Sequence, residues 1–119
     1  MIPMDDSGRF SLLKLRNMYN GNNAFVLKTA TIFLSQFEQD LSAINEKLAN
    51  GDFQQVKLLA HKIKPNIDLF QIVELQEPIR EIEKNAEEQN QEVLVKLVKN
   101  LAQVYTEVAS EMRQVIDKS

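Results

Sequence analysis

Residues 48 to 70 read Leu48-Ala49-Asn50-Gly51-Asp52-Phe53-Gln54-Gln55-Val56-Lys57-Leu58-Leu59-Ala60-His61-Lys62-Ile63-Lys64-Pro65-Asn66-Ile67-Asp68-Leu69-Phe70, and the spacing of their apolar members decides the architecture. Asn50-Gly51-Asp52 punctuates the chain: Gly51 can take the left-handed conformation that closes one helix, and Asp52 can cap the next, with Gln55 as a capping-box partner. Beyond it, at about 100° per residue, Val56, Leu59, Ala60, Ile63, Ile67 and Phe70 fall within a sector of roughly 100°. A helix from Phe53 to Phe70 is therefore expected, burying that sector.

Outward from this stretch the same period repeats. Upstream, Leu27, Leu34, Phe37, Leu41, Ile44 and Leu48 mark one long helix over Ala24 to Ala49, with Asn23 as its N-cap. Before it, Phe10, Leu13 and Met18 are expected to line one side of a brief first helix that Asn20-Gly21-Asn22-Asn23 ends. Downstream, Ile72, Leu75, Ile79, Ile82 and Ala86 mark a helix that Pro78 either bends or begins, and after Glu87-Glu88-Gln89-Asn90 a last helix presents Leu94, Leu97, Leu101, Val104, Val108, Met112 and Val115. Phe25, Phe33 and Phe37 belong to core or subsidiary packing. Long amphipathic helices with short connections predict an all-α fold, an antiparallel up-down-up-down four-helix bundle with a short N-terminal helix.

Composition agrees and excludes several functions. The 119 residues suit a single domain, residues 1–119 with its core over about 12–117, and with 44% hydrophobic and 26% charged residues a packed core is expected. Only three glycines and three prolines occur, too few for the turns of a sandwich or barrel. Net charge is -3, from 17 acidic against 14 basic residues without a basic block, which argues against nucleic acid as a partner. The absence of cysteine excludes disulfides, thiolate chemistry and cysteine-based zinc sites. No apolar run approaches the ~18 residues of a membrane span, and Met1-Ile2-Pro3-Met4-Asp5-Asp6 lacks the regions of a signal peptide. A cytoplasmic, monomeric protein without contact to a membrane is expected, and its start leans toward a free-standing protein over a piece of a larger one.

The one histidine stands out by its position. His61 lies about 150° from the centre of the buried sector, so its imidazole is expected to face solvent. Gln54, Lys57, Lys64 and Asp68 share its outward strip, since residues three and four apart are neighbours on a helix. The two lysines disfavour the imidazolium and leave a more nearly neutral, nucleophilic ring. Their other reading is as ordinary solubilising residues. Pro65 lacks an N–H for the carbonyl of His61, so the helix is expected to be bent or loosened there.

With these residues in place, the sequence resembles the histidine-containing phosphotransfer domains of two-component phosphorelays. The resemblance rests on Leu48-Ala49-Asn50-Gly51-Asp52-Phe53, on Ala60-His61-Lys62-Ile63-Lys64, similar to the family's small-residue, His, any, apolar, Lys pattern, and on Leu75, Ile79 and Ile82-Glu83 in the helix behind. It implies that His61 is the phosphoacceptor and Lys64 its basic neighbour. It also implies that the chain carries a phosphoryl group between aspartates of response-regulator receiver domains, accepting it in some branches from a sensor or hybrid histidine kinase. Pro65 and Gln71 stand where the family usually has glycine, which bears on docking more than on the acceptor.

Such a carrier needs no cofactor or metal of its own, because phosphoryl transfer relies on positioning and charge, and the magnesium ion can belong to the partner. Lys57, Leu58, Pro65, Asp68 and Leu69 form the candidate docking surface, although Leu58 and Leu69 could equally pack on a neighbouring helix. An enzyme with its own active site is disfavoured, since there is no phosphate-cradling glycine loop and no Cys/His pair. The competing reading is a helical adaptor, or a degenerate relay domain, that binds a receiver without passing phosphate.

Overall fold

The computed structural model describes residues 9–118; the polar start and Ser119 lie outside them. Five helices follow in order, α1 (Leu13–Met18), α2 (Asn23–Ala49), α3 (Phe53–Leu69), α4 (Val73–Glu87) and α5 (Gln91–Lys118), with no strand element among the described residues. Helix α2 packs on α3, α3 on α4 and α4 on α5, and α5 returns to α2. Their apolar stripes merge into one core that runs the length of a body 47 Å long and about 20 Å across (21 × 19 Å). None of the described helices is long and apolar enough to cross a membrane.

Helix boundaries follow local chemistry. Asp52 Oδ1 accepts the backbone N–H of Gln55 at 3.2 Å, so the cap expected before α3 forms. The N–H of Asp52 is given to the carbonyl of Lys47, not to a Gln55 side chain, and only half of a capping box results. Before α2 the cap is Asn22 and not Asn23: Asn22 Oδ1 accepts from Phe25 N, and Asn23 is already the first helical residue. Pro78 lies within α4 as its sixth residue, so it neither begins the helix nor ends it.

The short first helix exists, but its inward side differs from expectation. Leu13 and Met18 are 48% and 62% exposed, while Phe10, Leu12 and Leu15 are buried. A helical period carried back to Phe10 points Leu13 and Met18 inward, whereas the helix starts at Leu13. Phe10 and Leu12 enter the core from a non-helical segment that Ser11 pins by donating its N–H to the carbonyl of Phe70 at 2.8 Å.

Aromatic rings join the helices. Phe70 stacks on Phe33 with centroids 4.2 Å apart, Phe33 meets Phe37 edge-on, and Phe37 stacks on Tyr105 of α5 at 4.2 Å. The Tyr105 hydroxyl donates within reach of the Leu34 carbonyl (2.9 Å) and Glu38 Oε2 (2.8 Å). Burial, then the bond to Glu38, keeps this phenol protonated well above the usual range. Phe25 is exposed but stacks on Tyr19, a subsidiary contact outside the core.

Candidate functional site

Helix α3 presents Val56, Ala60, Ile63 and Ile67 to the core and turns His61 to the opposite side. The His61 side chain is 71% exposed. Leu59, read with the buried sector, is only half-buried against it. Despite Pro65 the helix continues to Leu69; the ring occupies an exposed position, and the His61 carbonyl forgoes the bond that a non-proline residue would give it.

The α4 helix runs antiparallel along α3, as its cross-helix pairs show: Lys57 with Glu87, His61 with Glu83, and Asp68 with Gln76. The central pair defines the site. Glu83 Oε2 lies 2.7 Å from His61 Nδ1, and its other oxygen, Oε1, accepts from Lys64 Nζ at 2.9 Å. One half-buried carboxylate thus braces both the imidazole and the lysine. The Lys64 hydrogen bond, opposed by partial burial and aided by His61, holds Glu83 below the usual carboxylate range. It is therefore ionised at neutral pH. An ionised carboxylate only accepts, so Nδ1 carries a hydrogen and the lone pair of the neutral ring is left on Nε2.

This corrects the electrostatics expected from the sequence. Lys57 and Lys64 do flank His61 on the strip, yet neither is an unbalanced cation, because Lys57 pairs with Glu87 and Lys64 with Glu83. The charge nearest the ring is the Glu83 carboxylate, 2.7 Å from Nδ1. Lys62 turns to the other flank of α3, where its ammonium meets the buried Asp40 of α2 at 3.1 Å.

Of the candidate docking residues, Leu58, Pro65 and Asp68 are exposed, Asp68 accepting from Gln76 Nε2 at 3.2 Å. Leu69 is half-buried and packs against the core, so it offers less surface than Leu58. Beside His61 an open groove of about 460 Å³ runs between α3 and α4, lined by Lys57, His61, Arg80, Glu83, Lys84, Glu87 and Glu88. Its α4 members were not singled out as site residues from sequence. Their signal was present, as Arg80, Glu83, Lys84 and Glu87 recur three and four apart, one strip around from the apolar face of α4. Among the described residues no group of His, Cys, Asp or Glu could hold a metal ion.

Fold and site together define an all-helical domain that displays one carboxylate-braced histidine on a helix surface. The family model for the Hpt domain matches residues 28–116, and the chain belongs to that family. The fold is similar to the crystal structure of histidine-containing phosphotransfer protein B from Pseudomonas aeruginosa PAO1, with a TM-score of 0.85 at 17% identity over 95% of this chain and 98% of that one. At that identity the likeness speaks for the fold. No curated protein matches the sequence.

Proposed function

We propose that this chain is a phosphocarrier that takes a phosphoryl group onto His61 Nε2 from an aspartyl phosphate of a response-regulator receiver domain and returns it to another, in a two-component phosphorelay. The observation that carries the reading is the exposed imidazole held through Nδ1 by Glu83, in a chain of the Hpt domain family.

In the forward step the Nε2 lone pair forms the N–P bond as the P–O bond to the aspartate breaks, and the electron pair leaves with the carboxylate. No proton need move. The product ring keeps its Nδ1 hydrogen and becomes a phosphoryl-imidazolium, whose positive charge faces Glu83 at the distance already present. Glu83 thus orients the nucleophile before transfer and balances its charge afterwards. Lys64, one helical turn from the ring, can exchange its contact with Glu83 for a phosphoryl oxygen. Lys57 and Asp68, each held by a residue of α4, with Leu58 and Pro65, form the surface around the transfer point.

The chain acts as a carrier and not as an enzyme in its own right; magnesium and the phosphate cradle belong to the receiver. The helix order and short connections favour an antiparallel up-down-up-down bundle acting as a single cytoplasmic, monomeric domain.

The test is incubation with a phosphorylated receiver domain, following acid-labile label on this chain. Label on the wild type and none on His61→Gln is expected. Label persisting on His61→Gln would overturn the site, and binding without label would favour a non-phosphorylated adaptor.

A further inference from the structure

The groove beside His61 contains two cations that the bracing network does not use. Lys57 and Lys64 are each committed to a glutamate, whereas Arg80 and Lys84 of α4 line the same groove with side chains that make no ion pair or hydrogen bond to a described residue. They lie four residues apart, so both sit on one strip of α4, on either side of the turn that bears Glu83. Both residues are exposed. With Lys57 balanced by Glu87 and Glu83 balanced by Lys64, the remaining charges of the lining are Arg80 and Lys84 against Glu88 alone. A phosphoryl group arriving at Nε2 brings about two negative charges and three acceptor oxygens, and needs cations that are not already neutralised. Arg80 is suited to this, since a guanidinium presents paired donors to phosphoryl oxygens.

We infer that Arg80 and Lys84 form an anion subsite on α4 that holds the phosphoryl group as it reaches His61, so that the site spans two helices. This rests on His61 being the acceptor and adds the residues that neutralise its cargo. Lys64 then contributes only on release from Glu83, while Arg80 and Lys84 contribute without breaking a contact.

A small phosphodonor separates the subsite from partner docking. Phosphoramidate transfers its phosphoryl group to a histidine as the N–P bond to the ring forms and the donor's own N–P bond breaks, with its ammonium nitrogen leaving as ammonia and the Nδ1 hydrogen staying in place. The full chain, the Arg80→Ala/Lys84→Ala double variant and a Lys99→Ala control on α5 would be labelled with phosphoramidate, and separately with a phosphorylated receiver, at low and high salt. We expect the double variant to be labelled about tenfold more slowly by both donors, the scale of a lost charge-assisted hydrogen bond, with Lys99→Ala unchanged and the deficit shrinking in salt. Equal phosphoramidate rates in the wild type and the double variant would overturn the subsite, including the case in which only the receiver reaction slows. Absence of label on the wild type with both donors would instead overturn the carrier reading and the subsite with it.

Discussion

Glu83 divides one carboxylate between His61 and Lys64, and this makes it the residue whose charge matters most at the site. Because its folded-state acidity is shifted below the usual carboxylate range, it contributes stability that is present above the ordinary glutamate range and is lost as pH falls through the lower folded-state value. The gap in unfolding free energy between wild type and Glu83→Gln should therefore be larger at pH 7 than at an acid pH below the folded-state value, where both side chains are uncharged. Urea titrations of the two proteins at the two pH values measure it, and a constant gap would show that the charge adds nothing to the fold. His61 behaves differently. Its side chain is mostly in water, so His61→Gln should leave the unfolding free energy within about 0.5 kcal/mol of wild type while removing the proposed acceptor. A loss of several kcal/mol in the same titration would mean that the ring supports the bundle.

At the scale of the helix, the way these elements end is uniform. Helices α1, α2, α3 and α4 each close with a residue of positive φ, namely Asn20 (51°), Gly51 (72°), Gln71 (52°) and Gln89 (56°). In each, the next residue's N–H reaches back five residues, as from Ile72 to Ile67 and from Asp52 to Lys47. This is the Schellman termination, for which glycine is the usual residue, and only Gly51 fills it without side-chain strain. The position of Gln71, read from sequence as a missing family glycine, is thus a requirement of backbone shape. Gln71→Gly and Gln89→Gly should each stabilise the protein by about 0.5 to 1 kcal/mol, measured by chemical denaturation, while Gly51→Ala should cost a similar amount. Pro65 is the other local exception. Pro65→Ala restores an N–H for the His61 carbonyl within an unbroken α3 and should raise stability by about 1 to 3 kcal/mol. No gain would show that α3 has already relaxed around the ring.

Over the whole molecule, closure depends on α5 meeting α2, and Tyr105 is the main joint. It is 4% exposed, lies almost flat on Phe37 and bonds to Leu34 and Glu38. Removing the hydroxyl leaves the Leu34 carbonyl with its own helical partner and Glu38 with Arg113, so no buried group is orphaned. Tyr105→Phe should accordingly cost only about 1 kcal/mol, whereas Tyr105→Ala, which removes the ring, should cost about 3 to 5 kcal/mol. Thermal and urea unfolding distinguish the two. Similar losses for both would place the joint in the hydroxyl and not in the stacked ring. At the opposite face Arg9 meets Glu74 of α4 and Glu107 and Glu111 of α5, so the segment before α1 straps two helices together.

What the sequence determined by itself is everything that acts within about one helical turn: the period of the apolar residues, the Gly51 stop, the Asp52 cap, and the outward direction of His61. These were legible because a helix couples each residue mainly to those three or four positions away. What the tertiary structure decided are the pairings across helices. Glu83 came to brace His61, Glu87 took Lys57, Asp40 took Lys62, and Tyr105 stacked on Phe37. None follows from spacing along one segment, since the register of two packed helices is set by side chains interlocking over their whole shared length. A lysine on a helix surface can satisfy any of several carboxylates within its reach, and only that register selects which one. For the same reason the period placed Leu13 and Met18 inward when the chain before α1 was not helical at all, and the bond from Ser11 to Phe70, between segments distant in sequence, fixed which side chains entered the core.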